Sequence, residues 1–404
     1  MSVITEKSAC LGRIYVDHAA TTKPLPEVVD AMIPYLREDY GSPQSFHVLG
    51  SAPAKAMQHA REQVGALIGA PASQITFTSG GAEANNLAVK GAALAAQRRG
   101  KHIVTTEVEH FAVNHSVKFL EKFGFETTFV GVDKYGRVDP QAVVDALRDD
   151  TILVSVQIAN QEVGTIQPLA EIARRVKEHN AKIVVHADGT YAVGLIPTNV
   201  EEMGIDLLSL TAHRFHGPKG AGALYARKGV RLTPLIHGGV QESGKRAGME
   251  NVPAIVGMGV AAERAMEEMG ERVARVQAMR DRLERGLVER IENLSVNGHP
   301  EHRLPGYLDV SIEGIEGEGT LVRLDMQGVA VASGSACASM ALKGSAVLHA
   351  IGVDEVLAQG SILITLGMDN TDEDVDRLLE DFPQVVEKLR AMSPIYGQRT
   401  HYFR

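Results

Sequence analysis

Ile152-Leu-Val-Ser-Val-Gln-Ile158, Asn160-Gln-Glu-Val-Gly164, Leu169-Ala-Glu-Ile-Ala-Arg-Arg-Val-Lys-Glu-His179 and Ile183-Val-Val-His-Ala-Asp188 follow one another in a single stretch, and its reading decides the fold. Two short apolar runs flank a segment with apolar residues at helical spacing. That is the pattern of a strand, a crossover helix and a second, parallel strand in a covered sheet. The same alternation extends both ways. Ile75 to Ser79, Ile103 to Thr106, Leu207 to Thr211 and Gly222 to Ala226 read as further strands. Ala54 to Ile68, Ala84 to Arg98 and Pro140 to Arg148 read as helices. Val260 to Leu294 reads as one long helix that carries the chain from a large domain, about residues 14–260, into a small one. The small domain takes residues 1–13 and 261–404, with short strands at Tyr307 to Ile312 and Val329 to Ser333 and a final helix at Asp372 to Met392. No repeat or flexible linker separates the two, so packed domains are expected.

The composition fits this α/β reading. The 404 residues are 44% hydrophobic, 23% charged and 5% aromatic, with 40 glycines suited to tight strand-to-helix turns. Forty-one basic against fifty acidic residues give a formal charge of -9, which argues against a general nucleic-acid or membrane-surface binder. No run approaches the roughly 18 apolar residues of a membrane span, and the first residues lack the apolar core of a secretory signal. Two distant cysteines, Cys10 and Cys337, make neither a disulfide framework nor a four-cysteine metal site. A cytoplasmic protein is expected.

Ligands of open α/β sheets sit beyond the carboxyl ends of the strands. Five such ends are polar or glycine-rich: Thr78 to Asn86, Glu107 to His110, Asn160 to Gly164, His186 to Asp188 and Thr211 to Gly220. Ser79-Gly80-Gly81 enters a helix and reads equally as an anion cradle or as a capped turn. Asp188 ends an apolar strand and needs a partner, either a protonated ring nitrogen or a neighbouring histidine. His110 suits stacking or proton transfer, although a lone histidine there is more often structural. Cys337 lies among small residues, Ala332-Ser-Gly-Ser-Ala-Cys-Ala-Ser339, which read as a mobile loop displaying a thiol. Cys10 reads as incidental.

Across nearly its whole length the chain resembles the NifS/IscS group of cysteine desulfurases, within the class V, fold-type I family of pyridoxal-phosphate enzymes. The likeness runs from Tyr15-Val-Asp-His-Ala-Ala-Thr-Thr22 and Gly41-Ser-Pro through the site segments above. It continues through His237-Gly-Gly-Val-Gln-Glu242 to Ser333-Gly-Ser-Ala-Cys337 and Ser393-Pro-Ile. It implies a large domain with a mostly parallel, seven-stranded sheet and a small α+β domain carrying the Cys337 loop. It also implies a homodimer, a cofactor held as an imine by a lysine, and a loop cysteine that takes the substrate sulfur. That sulfur goes on to iron–sulfur or thio-cofactor assembly. The resemblance places Gly80, Gly81, Asn160, Asp188, Tyr191, Thr211 and Arg214 around the cofactor, with His110, His213 and Cys337 in the chemistry.

The departures fall on that cofactor and substrate. Arg214 stands where the family has its imine-forming lysine, and a guanidinium that stays protonated is no amine nucleophile. Lys219 is no substitute, since family members typically carry a lysine there as well. Ala82 and Met249 stand where two phosphate-binding threonines are usual, the second of them supplied by the partner subunit. Tyr191 replaces a ring-binding glutamine, Leu363 the arginine that grips the substrate carboxylate, and Thr211 a serine. Two lost hydroxyl bonds to a charged group would cost roughly two to four powers of ten in affinity. Three readings follow. The first is sulfur transfer or iron–sulfur assembly through Cys337, as sulfur carrier or cluster ligand, with a scaffold or other acceptor as partner. The second is altered pyridoxal or pyridoxamine phosphate chemistry using His213 or His110. The third is a non-catalytic dimeric binding partner whose cleft holds another anion between Arg214 and the glycine turn.

Overall fold

The computed structural model describes residues 12–333, 344–393 and 396. Cys10 and Cys337 lie outside them. Two compact units divide the chain. One comprises Thr21–Gln161 and Thr165–Gly270; the other holds 12–20, Glu162–Gly164 and the residues from Glu271 onward.

The first unit is built on seven strands: β1 (Ile75–Thr78), β2 (His102–Thr106), β3 (Glu126–Val130), β4 (Thr151–Gln157), β5 (Val184–Asp188), β6 (Leu207–Thr211) and β7 (Gly222–Ala226). Their order in space is β1-β7-β6-β5-β4-β2-β3. Only β7 is reversed, running antiparallel to both neighbours, so the other six strands direct their carboxyl ends to one edge. β4 is buried along its whole length, as a central parallel strand covered on both faces should be. The Gly81–Ala96 helix supplies part of that cover. Its Ala84, Leu87, Ala88 and Ala92 pack with Leu207 and Leu224. Its Val89 and Ala93 pack with Ile103 and Leu153.

Inside this sheet, polar groups satisfy one another across strands. His186 lies between Ser155 Oγ at 2.8 Å from Nδ1 and Ser209 Oγ at 3.0 Å from Nε2. Burial pushes its pKa down to about 4, so the ring is neutral and ties β4, β5 and β6 together. His102 does the same between Thr151 and Thr128.

The second unit has an antiparallel sheet of β8 (Leu294–Asn297), β9 (Tyr307–Ile312) and β10 (Ser361–Thr365), with β9 in the middle. Leu283, Leu308, Val310, Ile362 and Phe382 belong to its core. A capping box of Thr371 and Asp374 starts the Asp372–Met392 helix. The long helix differs from the expected span: it runs Val252–Arg290, and Leu294–Asn297 is a strand. Asn293, at φ 54°, takes a left-handed conformation just before that strand. Leu363 lies in β10 at 4% exposure and pairs with Ala332. Among the described residues no helix is long and apolar enough to cross a membrane.

Candidate functional site

The six aligned strand ends bring most of the sequence-derived site residues into the first unit. At the end of β1 the backbone turns through Gly80, whose φ of 154° favours glycine. A side chain at Gly81 would meet Thr190 Cγ2 at 2.4 Å, so glycine there allows the helix head to approach the end of β5. Gly80 as N-cap leaves the helix without a side-chain cap. Glu83 accepts from Ser79 N–H at 2.8 Å and from Arg246 Nε at 3.0 Å. Burial pushes its carboxyl up, but the Ser79 and Arg246 bonds outweigh that and hold it below the usual range. Ala82 and Met249 are exposed. A cavity of about 120 Å³ is lined by Thr78, Ser79, Arg246 and Met249, among others.

Asp188, 3% exposed, is bonded by Asn85 Nδ2 at 2.7 Å, Thr190 N–H at 3.0 Å and Thr190 Oγ1 at 2.7 Å. The histidine pairing that the sequence left open is therefore not made; an asparagine and a threonine fill both oxygens instead. His110 caps the Phe111–Glu121 helix by accepting from Ala112 N–H at Nδ1, which puts the hydrogen of a neutral ring on Nε2. Its ring lies 5.9 Å from that of Tyr191. Burial lowers its pKa; the charge of Asp188 opposes this and that of Arg214 adds to it. Beside it Glu109 is pushed up to about 8 by burial, although Thr106 and Gln157 N–H bond its Oε1. Its Oε2 has no partner among the described residues.

Past β6, Thr211 gives its hydroxyl to Ala221 O at 3.2 Å. Asn160, fully buried, donates to Val108 O at 3.1 Å. A single 3-10 turn, Ala212–Arg214, then presents His213 and Arg214. His213, 3.2 Å from Thr21 Oγ1, is pushed down to about 4 by burial and by Arg214 and Lys219. Arg214 is 8% exposed and lies over the Tyr191 ring at 4.0 Å. Its Nε and Nη1 are buried without a hydrogen-bond partner among the described residues.

Pyridoxal phosphate anchored through a lysine does not fit these residues, because the position holds a guanidinium with no free amine. Among the described residues no group of three histidine, cysteine, aspartate or glutamate side chains gathers to hold a metal. The Cys337 assignments, as sulfur carrier or cluster ligand, fall outside the described residues. Sequence reasoning missed Asn85 as the clamp on Asp188 and Thr190 as its neighbour. A polar Asn85 in the buried stripe of Ala84, Leu87 and Ala88 was the available signal.

The class V aminotransferase family model matches residues 14–378. A cysteine desulfurase IscS of Dictyoglomus turgidum is 49% identical over 94% of this chain and 96% of its own. One from Methanosarcina thermophila is 48% identical over 98% and 96%. The solved structure of a NifS-like protein superposes with a TM-score of 0.88 at 39% identity, covering 93% of this chain and 100% of that one. The fold is that of the fold-type I enzymes, and the chain belongs to the class V aminotransferase family, in its NifS/IscS-like cysteine desulfurase group.

Proposed function

We propose that this chain handles sulfur through Cys337 without the imine chemistry of its relatives, accepting sulfur and passing it on toward iron–sulfur or thio-cofactor assembly. The buried guanidinium of Arg214 at the lysine position carries the reading. Leu363 supports it, because an apolar side chain in β10 offers no grip on an amino-acid carboxylate. In the transfer step the Cys337 thiolate attacks the outer sulfur of a persulfide donor. A new S–S bond forms, the donor's S–S bond breaks, and the donor leaves as a thiolate. An acceptor thiolate repeats the step and restores Cys337.

A homodimer in the cytoplasm is part of this proposal. Phe46, Val48, Val240 and Met249 are all exposed apolar residues of the first unit, a surface suited to a second copy. Altered pyridoxal chemistry is disfavoured by the two histidines it would use. His213 is a weak base at a pKa of about 4, and His110 has its Nδ1 committed to Ala112 N–H. A non-catalytic partner role shares the dimer but needs no reactive Cys337.

Loading tests the proposal directly. After exposure to glutathione persulfide, mass mapping should find one added sulfur on Cys337 and none after Cys337→Ser. Absent loading, or loading confined to Cys10, would remove Cys337 from the account and leave the partner role.

A further inference from the structure

The sulfur-transfer reading gives Arg214 no task, yet its Nε and Nη1 are both buried and unpartnered among the described residues. A guanidinium keeps its proton at any working pH, and a buried donor without an acceptor carries its full desolvation penalty. The surrounding groups show what is missing. His110 and His213 are both lowered toward neutrality, and Glu109 at about 8 is largely protonated at neutral pH. Of the charged groups that act on these two histidines, Asp188, Arg214 and the exposed Lys219 remain. Asp188 already has a donor on each oxygen. Arg214 has Nε and Nη1 buried and unpartnered among the described residues. Among the described residues the anion is satisfied and the cation is not, so what is missing there is an acceptor.

Geometry suits the cation to receive one. Tyr191 lies 4.0 Å beneath the guanidinium carbon, and stacking on an aromatic face holds the plane while the nitrogens stay available for planar recognition. Thr190, the neighbour of Tyr191, touches the Gly81 position at the uncapped head of the Gly81–Ala96 helix. The first N–H groups of such a helix favour the same kind of ligand.

We propose that Arg214 is the receptor for the oxyanion of a small ligand, a phosphate monoester or a carboxylate, held noncovalently over Tyr191. This rests on the reading that no lysine-anchored cofactor fills the place. The test therefore uses no pyridoxal compound. The full-length chain is titrated calorimetrically at low ionic strength with inorganic phosphate and, separately, with sodium acetate, alongside Arg214→Gln and Arg214→Lys. One of the two anions should bind the wild type with a single site and weaken about tenfold to a hundredfold in Arg214→Gln. Arg214→Lys, which keeps the charge and loses the fork, should fall between. Binding of phosphate alone assigns a phosphate monoester; binding of acetate alone assigns a carboxylate. No binding of either by the wild type, or equal binding by Arg214→Gln, overturns the proposal. The wild-type arm decides even where a variant fails to fold. Sulfur loading at Cys337 is read independently, so either idea can fail without the other.

Discussion

Arg61 and Arg214 are both substantially buried, both belong to the first unit, and both stack on an aromatic ring, yet their surroundings could hardly differ more. Arg61 lies 4.6 Å from the centre of Phe77. Its Nη1 and Nη2 grip the two oxygens of Glu242, each at 2.7 Å, and Nη1 also donates to Ile75 O. Glu242 in turn accepts from Phe77 N–H, and its backbone sits at φ 49°, in the left-handed region. The fold accepts that strain to place a carboxylate where the guanidinium needs one. Around Arg214 the fold supplies an aromatic face, and among the described residues no acceptor for Nε or Nη1. The same side chain is thus tied into the scaffold in one place and left with two unpartnered nitrogens among the described residues in the other.

The comparison makes its largest claim at Glu242. Glu242→Ala leaves Arg61 charged, mostly buried and unpaired, and should lower the unfolding free energy on the order of 3 kcal/mol, read from urea melts. A loss well below 1 kcal/mol would put Arg61 in the same class as Arg214.

Glu109 gives the next effect, and its sign is fixed. Its folded pKa of about 8 lies above the unfolded value, so below about pH 4 both states are protonated and the group contributes nothing. As pH rises toward 8 the unfolded chain releases the proton first. Stability falls through that window by on the order of a few kcal/mol, then levels off. Glu109→Gln should flatten this slope between pH 5 and 8 in urea melts; an unchanged slope would mean the carboxyl ionises freely.

Arg214→Gln should be the mildest. A lost cation–π contact is worth about 0.5–2 kcal/mol, and relief from burying an unpaired charge offsets it. Stability within about 1 kcal/mol of the wild type is expected, and a loss as large as that of Glu242→Ala would show an undetected structural partner.

Much of the fold was readable where one physical signal dominates. The periods of Leu169–His179 and Asp372–Met392 and the apolar runs Leu207–Thr211 and Gly222–Ala226 end where the structure ends them. Glu126–Val130 escaped because it is an edge strand, its first residue exposed and its middle only partly buried. Leu294 reads as the last residue of the preceding helix, although it opens a strand just after the left-handed Asn293. At the site, the order of motifs was enough to single out Asp188, His110 and Arg214 as candidates. What each one touches was not legible. Asn85 and Asp188 stand 103 residues apart in the chain, and an arginine letter says nothing about whether an acceptor is waiting.

The central claim is that a guanidinium at position 214 has ended the family's amino-acid chemistry. Alanine release from L-cysteine with added pyridoxal phosphate, beside a Cys337→Ala control, tests it most directly. The account predicts no alanine above the control. Catalytic turnover that disappears in the control would contradict it and require a mechanism that works around Arg214.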